Sequence, residues 1–113
     1  TAAIDVFISP TYVPDLVHEV LDLLLDNESG IFHIANRGEI TWAELALKVA
    51  QMAGCDETLV NAKPLNKIRL KAKRPFYSVL QSEKGIKLPT LENALQRYFE
   101  AVANVYQSGA IAV

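Results

Sequence analysis

Residues 41–54, TWAELALKVAQMAG, narrow what this chain can fold into more than any other stretch. Thr41 and Glu44 stand at the spacing of a capping box, in which each side chain satisfies the other residue's backbone N–H. Trp42, Leu45, Ala46, Val49 and Ala53 recur at helical spacing, which predicts a buried stripe. Gly54 supplies the left-handed residue at which helices commonly stop. With that helix fixed at both ends, the short segments flanking it are left to be strands or loops.

Two more helices fit the same logic. Pro14 and Asp15 open one that should run to Asp26. Proline suits a first turn because its missing N–H has no partner there, and an acid suits the positive end of the helix dipole. Leu16, Val17, Val20, Leu21 and Leu24 form its apolar stripe. Pro89-Thr90 opens the last helix, with Leu91, Ala94, Leu95, Tyr98, Phe99 and Val102 at core spacing and an end near Tyr106. Between these lie IFHIA (31–35), a predicted strand closed by the Asn36-Arg37-Gly38 turn, and LVNAKPL (59–65), a strand that Pro64 confines to an edge. Residues 67–73 alternate basic with apolar, which predicts a strand with a solvated basic face. An apolar tail, AIAV (110–113), follows Gly109. The order gives an α/β class, resembling a small α+β lobe, with about three helices and a few short strands. Residues 1–113 make a single lobe, and the strands are too few for a full doubly wound sheet.

Charge is concentrated. Residues 63–74 hold six basic groups (Lys63, Lys67, Arg69, Lys71, Lys73, Arg74) and no acid; the chain's net charge is −2, so without those six the remainder carries −8. One basic segment in an acidic domain focuses positive potential at one place, suited to a phosphate, a nucleic acid or an acidic face of the same protein. The single Cys55 excludes an internal disulfide framework and fits a reducing compartment. No segment approaches the roughly 20 apolar residues of a membrane span, and nothing at the start reads as a secretory signal, so a cytoplasmic location is expected. A first residue of Thr1 in place of Met gives the expectation of a fragment.

Catalytic sets are missing. No GxGxxG occurs, no Tyr is followed four positions later by Lys, and His18 and His33 stand apart from Cys55 with no zinc-ligand spacing. From the residues alone, the chain carries binding equipment and no catalytic group.

Several segments, in order, carry a resemblance: SPTYVPDL, GIFHIANRGEITWAELA, AKRPFYSVL and LPTLENALQRYF. Together they resemble the C-terminal substrate-binding part of dTDP-4-dehydrorhamnose reductase and its sugar-nucleotide relatives, the extended short-chain dehydrogenase/reductases. The resemblance implies a lobe that partners its own N-terminal Rossmann domain, absent here, and binds a nucleotide-diphosphate sugar. It implies NADPH or NADH for the parent protein and no cofactor bound by this chain. A homodimer is compatible with it. Tyr12, Val13, Asp15 and Leu16 match a strand-to-helix junction that is largely architectural. Where members typically carry Gln and, two positions later, Gly before Ser-Pro-Thr, this chain has Val6 and Ile8. That departure keeps open an alternative, a non-catalytic module resembling the regulatory beta subunit of methionine adenosyltransferase.

On the resemblance, Arg74 of the Arg-Pro pair is a candidate for the substrate diphosphate, because guanidinium forks suit phosphate oxygens; the bland reading is an Arg that fixes a loop by bonding carbonyls. Thr11 and Tyr12 are candidates for the sugar pocket, or simply end a strand. Asn36 and Gly38 form a turn that approaches a ligand or is only a turn, and Trp42 is assigned to the core. Tyr77 and Ser78 are left at the pocket mouth without a decision. Nucleic-acid binding through 63–74 is the weakest reading, since the segment has no interleaved aromatics.

Overall fold

The computed structural model describes residues 1–107, so the AIAV tail lies outside the described residues. Five two-residue strands and three helices alternate along the chain. They are β1 (Ala2–Ala3), β2 (Phe7–Ile8), α1 (Val13–Leu25), β3 (Ile40–Thr41), α2 (Trp42–Ala53), β4 (Ala62–Lys63), β5 (Tyr77–Ser78) and α3 (Leu91–Gln107). β1 pairs in parallel with β4 (Ala2 with Ala62). β2 is the centre of a second sheet, antiparallel to β3 (Phe7 with Thr41) and parallel to β5 (Phe7 with Tyr77). The expected mixed α/β class with three helices and a few short strands is what forms.

α2 is capped as its sequence demands. The Glu44 N–H donates to Thr41 Oγ1 and the Thr41 N–H to Glu44 Oε2, both at 3.2 Å, and Gly54 closes the helix at φ 70°. Thr41→Ala should therefore lower stability by about 1 kcal/mol. An unchanged denaturation midpoint would show that the helix does not depend on this cap.

The buried side of α2 differs from the expected one. Ala43 and Ala50 are its buried residues, while Trp42, Leu45, Ala46 and Val49 face an open cavity. β3 runs directly into α2, and the Trp42 N–H donates to the Val6 carbonyl at 3.3 Å. That entry sets the helix rotation, and the small alanines, seven positions apart, take the closely packed side. The core around them is Ala3, Val6, Ile40, Leu88, Leu91 and Ala94. An exposed ion pair from Lys48 to Glu92 adds a link from α2 to α3.

Three further expectations are corrected. IFHIA forms no strand: residues 31–35 pair with none of the described strands and make no backbone hydrogen bond among the described residues. Residues 59–65 yield only β4, two residues long, before Pro64. Residues 67–73 form no strand either. Leu65–Lys67 is a 3-10 turn whose leading N–H is held by Asp5 Oδ1 at 2.9 Å, and the neighbour position beside β2 is filled by Tyr77–Ser78. The alternation still has an effect, since Ile68 and Leu70 line the cavity and the lysines do not. α1 forms as expected, but none of its residues is buried and Val17, Val20, Leu21 and Leu24 stay exposed.

Candidate functional site

The cavity beside α2 has a volume of about 810 Å³. One wall is the Trp42, Leu45, Ala46, Val49 face of the helix, and Val6 and Ile8 of the β2 region add apolar surface. Leu65, Ile68 and Leu70 close it from the basic segment, which leaves it through Arg74 and Pro75. Such a volume and such walls lie in the range of small-molecule sites, which are mostly apolar with a few placed polar groups.

Polar groups on the cavity wall are few. Arg74 is the one Lys or Arg side chain that lines it. It takes part in none of the ion pairs among the described residues, and no carbonyl accepts from it there. Ser78 also lines the cavity, and its Oγ donates to the Phe7 carbonyl at 3.4 Å. Its neighbour Tyr77 does not line it: the phenol donates to Glu39 Oε2 at 2.6 Å, and that carboxylate pushes the Tyr77 pKa up. Trp42, expected in the core, is 49% exposed on the cavity wall.

Thr11 and Tyr12 stand elsewhere. They line a separate cleft of about 110 Å³ with Pro10, Leu91, Ala94 and Tyr98, so the structure does not bring them together with Arg74. Tyr12 caps α1, meets Tyr98 edge-on at 6.3 Å and lies under the Arg97 guanidinium at 5.2 Å.

Behind Tyr12 is a polar knot that sequence reasoning missed. Asn36, only 2% exposed, accepts from the Tyr12 N–H at 2.7 Å and donates to Asp15 Oδ2 at 2.8 Å and to the Pro89 carbonyl at 3.0 Å. Asp15 in turn takes a two-pronged contact from Arg97, both prongs at 2.7 Å, and Arg97 Nε donates to Asn93. The Arg97 hydrogen bonds hold the Asp15 carboxyl below its usual pKa against partial desolvation, and Asn36 adds to the shift. Asp15 therefore has two duties, first-turn acid and anchor of α3. The sequence signals were an Asp after a first-turn Pro and an Arg on the polar side of the last helix. Nothing in their spacing joins positions 82 residues apart.

Among the described residues no group of His, Cys, Asp and Glu could hold a metal ion, and no helix is long and apolar enough to cross a membrane.

Comparison with known proteins decides the lineage. The model of the RmlD substrate binding domain matches residues 1–108. The chain belongs to the RmlD substrate-binding domain family. It is similar to a dTDP-4-keto-6-deoxy-D-glucose reductase of Streptomyces niveus, 35% identical over 71 residues that cover 63% of this chain and 25% of that protein. The spore coat polysaccharide biosynthesis protein SpsK of Bacillus subtilis is 33% identical over 96 residues, covering 81% of this chain and 33% of SpsK. Among solved structures, the dTDP-4-dehydrorhamnose reductase of Bacillus anthracis, in complex with NADP, superposes with a TM-score of 0.79 at 29% identity. That match covers 88% of this chain and 37% of the reductase. An orthologue from Clostridium acetobutylicum also gives 0.79, at 26% identity, over 90% of this chain and 38% of its own.

This RmlD substrate-binding domain therefore spans between 25% and 38% of the length of these relatives. Its fold is the lobe that the resemblance implied. Among the described residues no glycine-rich turn leads from a strand into a helix.

Proposed function

We propose that the cavity beside α2 binds a nucleotide-diphosphate sugar, with Arg74 taking the diphosphate. The placement of Arg74 carries this reading: of six basic groups in 63–74, it alone lines the cavity, and it has no ion-pair partner among the described residues. A guanidinium without a carboxylate offers its planar fork to phosphate oxygens. Pro75 biases the Arg74 backbone to an extended form, which restricts where the side chain reaches. The lysines of the segment are solvated point charges.

The chain acts in this reading as the single substrate-binding lobe, residues 1–113, of a cytoplasmic NAD(P)-dependent reductase of sugar nucleotides. Its partner is an N-terminal Rossmann domain that holds the cofactor and the proton-donating side chain. The reductases it resembles, one of them in complex with NADP, support this. The lobe supplies binding energy and orientation and no chemical group, so the isolated chain should show no dehydrogenase activity. Val6 and Ile8 lend no separate support to a regulatory module, because both add apolar wall to the same cavity.

Calorimetric titration with dTDP-glucose tests the assignment. Arg74→Lys should weaken binding by roughly 1–2 kcal/mol, the scale of a charge-assisted hydrogen bond that a lysine replaces imperfectly. Lys67→Ala should change it by less than about 0.5 kcal/mol, as for a screened surface charge. Equal losses would indicate a diffuse basic patch, and no loss at Arg74 would remove the diphosphate from this place.

A further inference from the structure

Trp42 is the only tryptophan of the chain, and half of its surface is open. A tryptophan recruited to a core loses most of its surface, whereas this one stands in the first turn of α2 with its apolar neighbours on the same wall. Leu45, Ala46 and Val49 continue that wall, and Ile68 and Leu70 also line the cavity. One guanidinium, Arg74, stands among them.

Three kinds of occupant fail on these walls. A bare anion satisfies Arg74 but leaves the indole and the aliphatic side chains wet. A purely apolar molecule covers them but leaves the guanidinium without its counter-charge. A sugar ring brings many hydroxyls to a surface whose only polar lining residues are Thr1, Arg74 and Ser78 among the described residues. A flat aromatic ring joined to a diphosphate meets both demands, and about 810 Å³ has room for it.

We propose that Trp42 is the nucleobase platform of this domain: the base of a nucleoside diphosphate stacks on the indole while the diphosphate pairs with Arg74. This rests on the nucleotide-sugar reading above and assigns the base, and with it the nucleotide's direction, to the α2 wall. The sugar is then directed away from that wall.

Because Trp42 is the single tryptophan, its fluorescence reports the contact without labelling. dTDP should quench it. Inorganic pyrophosphate should compete with dTDP without quenching. By calorimetry, Trp42→Ala should weaken dTDP about tenfold, the scale of one lost stack, and leave pyrophosphate affinity unchanged, which also shows that the variant is folded. Trp42→Phe, which keeps an aromatic face, should recover most of the affinity. If dTDP binds with dependence on Arg74 but neither quenches Trp42 nor weakens in Trp42→Ala, the platform is wrong and the diphosphate reading stands. If Trp42→Ala weakens dTDP while Arg74→Lys does not, the platform stands and the diphosphate assignment falls. If dTDP does not bind, both are overturned.

Discussion

Asn36→Ala is expected to cost about 3 kcal/mol, the largest loss from any single substitution considered for this chain. The side chain is 2% exposed and serves three partners on two separate segments: the Tyr12 N–H and the Asp15 carboxylate at the start of α1, and the Pro89 carbonyl before α3. Alanine leaves all three without it. Each buried group stranded in this way costs roughly 1–3 kcal/mol, and partial relaxation toward solvent recovers some of the sum. Asn36→Asp is the informative companion. It keeps the acceptor for Tyr12 but brings a second carboxylate against Asp15 and an oxygen against the Pro89 carbonyl. It should therefore be at least as damaging as alanine at neutral pH. Urea denaturation of both variants measures this, and a loss below about 1 kcal/mol for Asn36→Ala would show that water replaces the amide at little cost.

Arg97→Met should cost about 2 kcal/mol. The pair lies between the usual limits: the Asp15 side chain is 11% exposed and that of Arg97 37%. Exposed ion pairs contribute about 0.2–1 kcal/mol, and breaking fully buried ones costs roughly 3–5. Here the better-buried member is the one left behind. The pH dependence identifies the cause. Arg97 lowers the folded-state pKa of Asp15, so the pair's contribution is fully present above the ordinary carboxylate value of about 3.9. It is lost as pH falls through the depressed folded-state value. The gap between wild type and Arg97→Met should accordingly be widest near neutrality and close in that acid window. A gap that is constant with pH would assign the loss to packing against the Tyr12 ring instead.

The sequence showed what is local. The Thr41–Glu44 box and Gly54 set α2, and Pro14-Asp15 set the start of α1 to within one residue, because caps are decided by near neighbours. Strands were less readable. A strand needs a partner as well as a composition, and neither IFHIA nor residues 67–73 find one among the described residues. Orientation was harder again. The stripe containing Trp42 and Leu45 is as apolar as any core face, and only the junction with β3 and the Val6 carbonyl turns it toward a cavity. Arg74 was found through a family resemblance and now has a place on a wall. Thr11 and Tyr12 were found in the same way and stand in another cleft. Asn36 passed for an ordinary turn residue. Its three partners lie 21, 24 and 53 positions away, beyond the reach of any spacing rule.

IFHIA also bears on handling the chain. Its backbone makes no hydrogen bond among the described residues, and an apolar run with free amides and carbonyls is a template on which other backbones add by strand pairing. Ile31, its first residue, is exposed, and the bare Val17, Leu21 and Leu24 of α1 precede it in sequence. Concentrated preparations should therefore lose monomer in a way that salt does little to prevent, since the attraction is apolar and backbone-borne rather than ionic. A lysine at position 31 or 34 guards such an edge at the cost of one cation, as natural edge strands do. It should restore monomer in sedimentation without moving the thermal midpoint much.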